Sequence, residues 1–109
     1  MYEINITDTA AADLRHAAMY IAAKLGNKAA ALDLLNESDN TIKSLSEFPY
    51  RNALVEDEFL ASIGIRIQSV KNYLIFYLIR EDTKTISILR YLYSRRNWID
   101  ILKTDFSSF

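Results

Sequence analysis

An α+β domain with the element order β-α-α-β-β-β and a short C-terminal helix is what the sequence predicts, and three observations carry that expectation. An alternating opening segment, "YEINIT", precedes two alanine-rich stretches of helical period. Beyond Gly64 the period changes to that of strands, in the runs "IRIQSV", "YLIFYLIR" and "TISILRYLY". The whole is 109 residues with 50% hydrophobic content, two Gly and one Pro, which describes one compact domain over residues 1–109. A chain of this length removes roughly two-thirds of its unfolded surface from water, enough for a core without disulfides or metal.

Each element has a local reason. Tyr2, Ile4 and Ile6 alternate with polar positions, as in a half-buried strand. Thr7, Asp8 and Thr9 supply cap oxygens for a helix over about 9–25, whose apolar stripe is Leu14, Ala18, Ile21 and Leu25. Gly26 and Asn27 end it, and a second helix runs from about Lys28 towards Pro49 with Ala31, Leu35, Ser38, Ile42 and Leu45 on one stripe. The short link makes the pair an antiparallel hairpin, and the dense alanines allow close approach. Residues 50–63 have no clear period and read as a long connection with one helical turn near Asp57 to Ala61; the acids Glu56, Asp57 and Glu58 there read as solvated. The turns "KN" and "EDTK" join the last three runs into an antiparallel meander, with the doubly apolar run Tyr73 to Ile79 at the sheet centre. Trp98, Ile99, Ile101 and Leu102 mark the C-terminal helix.

Composition excludes several functions. There is no Cys and one His, so neither a disulfide framework nor a Cys/His metal site is available, and no cofactor is expected. No basic-then-apolar leader opens the chain and no apolar run approaches the roughly 18 residues of a membrane span, so a cytoplasmic protein without a membrane partner is expected. His16 lies about 200° around its helix from Leu14, on the exposed side. With no Gly-rich phosphate loop and no Ser-His-Asp set, any catalysis falls to Arg, Lys, Tyr or a carboxylate, of which arginines can clamp phosphate. The net charge of -1 hides an asymmetry: residues 1–63 carry five basic and ten acidic side chains, residues 64–109 eight and four. The basic half, which contains "LRYLYSRRNW", is where an acidic partner would dock.

The alanine-rich hairpin "TAAADLRHAAMYIAAKLGNKAAA", the "LSEFP" that follows, and "GIRIQSVKNYLIFYLIREDTKTISILRYLYSRRNWIDIL" together resemble the RelE/ParE family of toxins from bacterial type II toxin-antitoxin modules. The resemblance covers about residues 2–103, and "GIR", "NYLIFY" and "ILRYLYSRRNW" are its most specific parts. It implies a RelE/ParE-like fold, a helical hairpin packed on an antiparallel-rich sheet, and a cognate antitoxin that wraps the toxin in a hetero-oligomer; a toxin dimer is a further expectation.

Two mechanisms divide that family. RelE-like members cleave mRNA on the ribosome, whereas ParE-like members poison DNA gyrase. The nuclease branch carries a basic residue where this chain has Leu74, which weights the expectation towards ParE-like inhibition. On the nuclease alternative, Arg66, Arg90 and Tyr93 match catalytic positions. On the binding reading, Arg90, Tyr91, Tyr93, Arg95, Arg96 and Trp98 form the surface for target or antitoxin; Arg66, Lys71 and the 50–63 connection are the next place to look if Arg95 and Arg96 prove dispensable. A non-toxic scaffold that only binds antitoxin is the third reading. Strand parity places Ile86, Ile88, Arg90 and Leu92 on one face and Ser87, Leu89, Tyr91 and Tyr93 on the other. Arg90, among apolar neighbours, is therefore expected at a rim or in an ion pair.

Overall fold

The structure, a computed structural model, describes residues 1–107. Its elements are β1 (Glu3–Ile6), α1 (Asp8–Met19), a π-helical turn (Tyr20–Lys24), α2 (Lys28–Ser44), a 3-10 turn (Pro49–Arg51), α3 (Glu58–Ile63), β2 (Ile65–Val70), β3 (Tyr73–Arg80), β4 (Thr85–Tyr93) and α4 (Trp98–Phe106). The strand order is β1-β4-β3-β2, with β1 parallel to β4 and the other two pairings antiparallel. The predicted α+β architecture, meander and helical hairpin are thus present. No helix among the described residues is long and apolar enough to cross a membrane.

Local chemistry sets the boundaries. Thr7 Oγ1 accepts from the Ala10 amide at 3.1 Å and donates to the Ile88 carbonyl at 2.8 Å, so one hydroxyl starts α1 and ties it to β4. Asn27 Oδ1 accepts from Ala30 N at 2.9 Å and starts α2. Asp57 caps α3 by accepting from Leu60 N, and it also pairs with Lys103 of α4 at 3.0 Å. Those bonds hold the Asp57 carboxyl below its ordinary range, the cap amide contributing most and Lys103 next. Of the three acids expected to be merely solvated, Asp57 is therefore structural, while Glu56 and Glu58 are exposed. Gly64 ends α3 at φ +104°, a left-handed conformation glycine adopts freely.

The sheet is covered on both faces. Leu14, Ala17, Ile21, Leu34, Ile42 and Leu45 of the hairpin pack on one face with Ile75, Tyr77, Ile86, Ile88 and Tyr91. Leu60, Trp98, Ile101 and Leu102 pack with Ile65, Phe76, Leu89 and Leu92 on the other. The central strands β3 and β4 are accordingly apolar on both sides over much of their length, as enclosed strands are.

Three expectations change. Phe76 aligns with Arg90 but Tyr77 aligns with Ile88, so Leu89 is an extra residue in β4. This bulge shifts the parity. Tyr91, not Arg90 or Leu92, joins Ile86 and Ile88 under the hairpin, and Leu92 joins Leu89 under α4. In α2 the fully buried leucine is Leu34, with Leu35 only half-buried. At the end of α1 the wider π turn rotates less per residue than an α-helix, so Leu25 leaves the core stripe and stands 61% exposed.

Candidate functional site

Arg90 follows the bulged residue and holds two helices at once. Its Nε and Nη2 donate to the two oxygens of Asp13 on α1, at 2.7 and 3.1 Å, and its Nη1 donates to Asp105 on α4 at 3.0 Å. Asp13 also accepts from the Tyr91 amide at 3.0 Å, beyond the point where β1 stops pairing with β4. Side-chain exposure is 15% for Arg90 and 14% for Asp13, so these charge-assisted bonds form largely out of water. Asp13, followed by Asp105, raises the guanidinium pKa against the opposing effect of burial. Every nitrogen of this arginine thus faces a carboxylate of its own chain, and the pair clamps α1 and α4 to the same strand.

Beside the clamp lies a groove of about 810 Å³ between the helical hairpin and the open end of the β3–β4 pair. Tyr20, Ile21 and Leu25 from the π turn, Tyr73 and Tyr93 from the sheet, and Arg96 from the loop after β4 are among its lining residues. The Tyr73 ring stacks on Tyr91 at 5.2 Å and meets the Tyr93 edge at 5.6 Å, a geometry aromatic pairs favour. Burial raises the Tyr73 hydroxyl pKa, with Tyr93 and Tyr20 contributing. At the rim Lys71 pairs with Asp33 at 2.8 Å, which raises the lysine pKa.

The residues predicted for binding divide by accessibility. Tyr93 is 38% exposed, and Arg95 and Arg96 are exposed with no side-chain ion pair among the described residues. Tyr91, at 2% exposure, is a core residue whose hydroxyl meets Ser38 at 2.6 Å; burial pushes its pKa up to about 12. Its ring lies against Tyr73 and supports the groove from beneath. Trp98 is half-buried against Phe76, ring centroids 5.2 Å apart, and anchors α4.

Residues matched to the nuclease alternative do not converge. Arg66 aligns with Tyr77 and Tyr93 with Tyr73, four positions or about 13 Å apart along β3. Arg66 also donates to the Asn52 carbonyl and lies 5.0 Å over the Tyr50 ring. Arg90 aligns with Phe76 and is enclosed by Asp13 and Asp105.

Sequence reasoning missed Asp13, Asp105, Tyr20 and Tyr73. Asp13 and Arg90 are 77 residues apart, so only the folded chain joins them. Tyr20 stood in a helix with the right period, and no local signal announces the π turn. A second polar cluster, in which Tyr2, Tyr50 and Lys84 all donate to Glu81, lies at the β3–β4 hairpin and holds the Glu81 carboxyl down to about 2, Lys84 contributing most. It is an exposed tie between the chain start, the connection and the hairpin.

Comparison with known proteins gives the same direction. A family model described as the ParE toxin of the type II toxin-antitoxin system, parDE, matches residues 4–98. Among solved structures the chain is similar to one of the chromosomal ParDE toxin-antitoxin system from P. aeruginosa, with 22% identity, TM-score 0.68, and coverage of 85% of this chain and 96% of that one. It is also similar to a chain of the RelBE2 toxin-antitoxin complex from Mycobacterium tuberculosis, with 20% identity, TM-score 0.58, and coverage of 84% and 96%. At such identities the two likenesses concern the fold. No curated protein sequence matches significantly.

Proposed function

Because the chain belongs to the ParE toxin family of type II toxin-antitoxin systems, we propose that it is a cytoplasmic toxin that acts by binding and inhibiting DNA gyrase, and that a cognate antitoxin silences it by covering the basic C-terminal half. The observation that carries the choice of mechanism is the occupied guanidinium of Arg90. An arginine that stabilises a phosphorane needs donors aimed at the phosphate; here Asp13 and Asp105 take them. Exposed Tyr93, Arg95 and Arg96 supply the mixture of aromatic and planar cation that interfaces favour. Arg66 remains a support for the connection before β2.

Purified protein added to gyrase and supercoiled plasmid tests this reading: trapped, cleaved DNA complexes are expected. Cleavage of mRNA in a translating extract without any effect on gyrase would overturn it in favour of a RelE-like nuclease. Absence of both effects would leave an antitoxin-binding scaffold. Replacing Arg95 and Arg96 together with Ala is expected to abolish growth inhibition at matched expression, while stability changes by no more than about 0.5 kcal/mol, as for exposed sites in general. Growth inhibition retained by that double variant would remove the terminus from the active surface.

A further inference from the structure

The sheet face under α4 carries a second opening, away from the groove beside the clamp. Between the connection, β2 and α4 lies a slot of about 350 Å³ whose lining includes Leu54, Glu56, Ile67, Trp98 and Ile99. Leu54 and Ile99 are 45% and 36% exposed there. Charge is split across this slot. Glu56 and Glu58 follow Leu54 in the chain, and Arg95 and Arg96 precede Trp98; all four are exposed, and none has a side-chain ion pair among the described residues. The two charged pairs leave the sheet at different ends. Val55 N donates to the carbonyl of Ile65, which aligns with Leu78, whereas Tyr93 aligns with Tyr73, five positions or about 17 Å away along β3. Ile67 aligns with Phe76, against which Trp98 packs, so the apolar slot falls between the acids and the arginines.

A patch with acids at one end, cations at the other and an apolar middle is complementary to itself after a half-turn, which is what an isologous interface requires. We propose that this face is a self-association surface, on which a second copy of the chain docks about a two-fold axis through the slot. Arg95 and Arg96 of each copy then meet Glu56 and Glu58 of the other, while Leu54 and Ile99 of both copies fill the middle. An apolar centre with a charged rim is the general anatomy of such contacts. The rim charges fix the register of the two copies more than they add to affinity. The pairing stands independently of the functional reading; its consequence, that a dimer withholds Arg95 and Arg96 from gyrase, rests on that reading.

Analytical ultracentrifugation of the purified chain tests the surface. At low salt the weight-average mass is expected to rise with loading concentration from 12.6 kDa towards twice that value, and to fall back at about 500 mM salt, where charges are screened over a few ångströms. Glu56→Arg with Glu58→Arg, and Arg95→Glu with Arg96→Glu, are each expected to stay monomeric, because two like copies then oppose like charges. An equimolar mixture of the two double variants restores the dimer, since both contacts of a mixed pair join opposite charges. Ile99→Ser, which adds no charge, is expected to weaken association at least about fivefold, both alone and when carried by both members of the mixture. That arm separates the surface from mere attraction between oppositely charged chains. Leu32→Glu, on α2 outside the slot, is the control and stays within about twofold of the wild type. Circular dichroism and melting temperature confirm that each variant is folded, as substitutions at exposed positions allow. A wild-type chain that remains monomeric at every concentration, a mixture that fails to associate, or Leu32→Glu weakening association as much as Ile99→Ser would overturn the surface. Each of these results leaves the gyrase reading, which is measured on gyrase itself, untouched.

Discussion

Arg90 links the two layers on either side of the sheet, and its energetic weight follows from its surroundings. Breaking an ion pair at the surface costs up to about 1 kcal/mol, and breaking a fully buried one about 3–5 kcal/mol, because the abandoned charge stays out of water. With Arg90 and Asp13 both about one-seventh exposed, Arg90→Ala is expected to cost about 2 kcal/mol in urea unfolding, between those limits. Arg90→Lys recovers little of this, since an ammonium lacks the planar fork that spans both Asp13 oxygens and Asp105. Stability unchanged in Arg90→Ala would show that the clamp is not what joins α1 and α4. An arginine among apolar neighbours was legible in the sequence as one needing a partner. Which partner was not, since nothing local connects residue 90 to residues 13 and 105.

At the level of elements, the turns and caps decide where one period gives way to the next. Gly64 shows it most sharply: at φ +104° a side chain is strained, and a Cβ there would lie 2.9 Å from Leu78 Cδ1. Gly64→Ala is therefore expected to destabilise by about 2 kcal/mol, combining backbone strain with displacement of Leu78. A thermal midpoint unchanged by the substitution would count against it. The switch to strands after this glycine was readable because alternation and β-branching extend over whole runs such as "YLIFYLIR". Two irregularities were not readable. The bulge at Leu89 inserts a single residue into an otherwise regular apolar run, and the π turn at Tyr20–Lys24 contains no Gly or Pro to announce a break. Both sit where the candidate site is built, so the fold was far more legible than the surface it presents. The α3 turn was expected near Asp57 to Ala61, but the capping role of Asp57 was not seen, because it stands between two acids that are solvated.

Across the whole molecule, charge is divided along the chain, with an acidic first half and a basic second half that carries the exposed Arg95 and Arg96. Such a field steers an acidic partner before contact and is screened over about 10 Å at 0.1 M salt. The association rate with the antitoxin is expected to fall at least about fivefold between roughly 50 and 500 mM salt, with a smaller change in the dissociation rate. A stopped-flow series that shows no salt dependence of association would exclude steering by these residues. One topological feature has a bearing on synthesis. β1 finds its parallel partner only in residues 85–88, some eighty positions later in the chain, and α4 follows later still. Since domains generally fold as units, the assembled sheet, the Arg90 clamp and the loop of Arg95 and Arg96 all await the synthesis of β4 and α4. Under the functional reading, a chain that stops before β4 lacks the surface that would harm the producing cell, and such a product is expected to be inert.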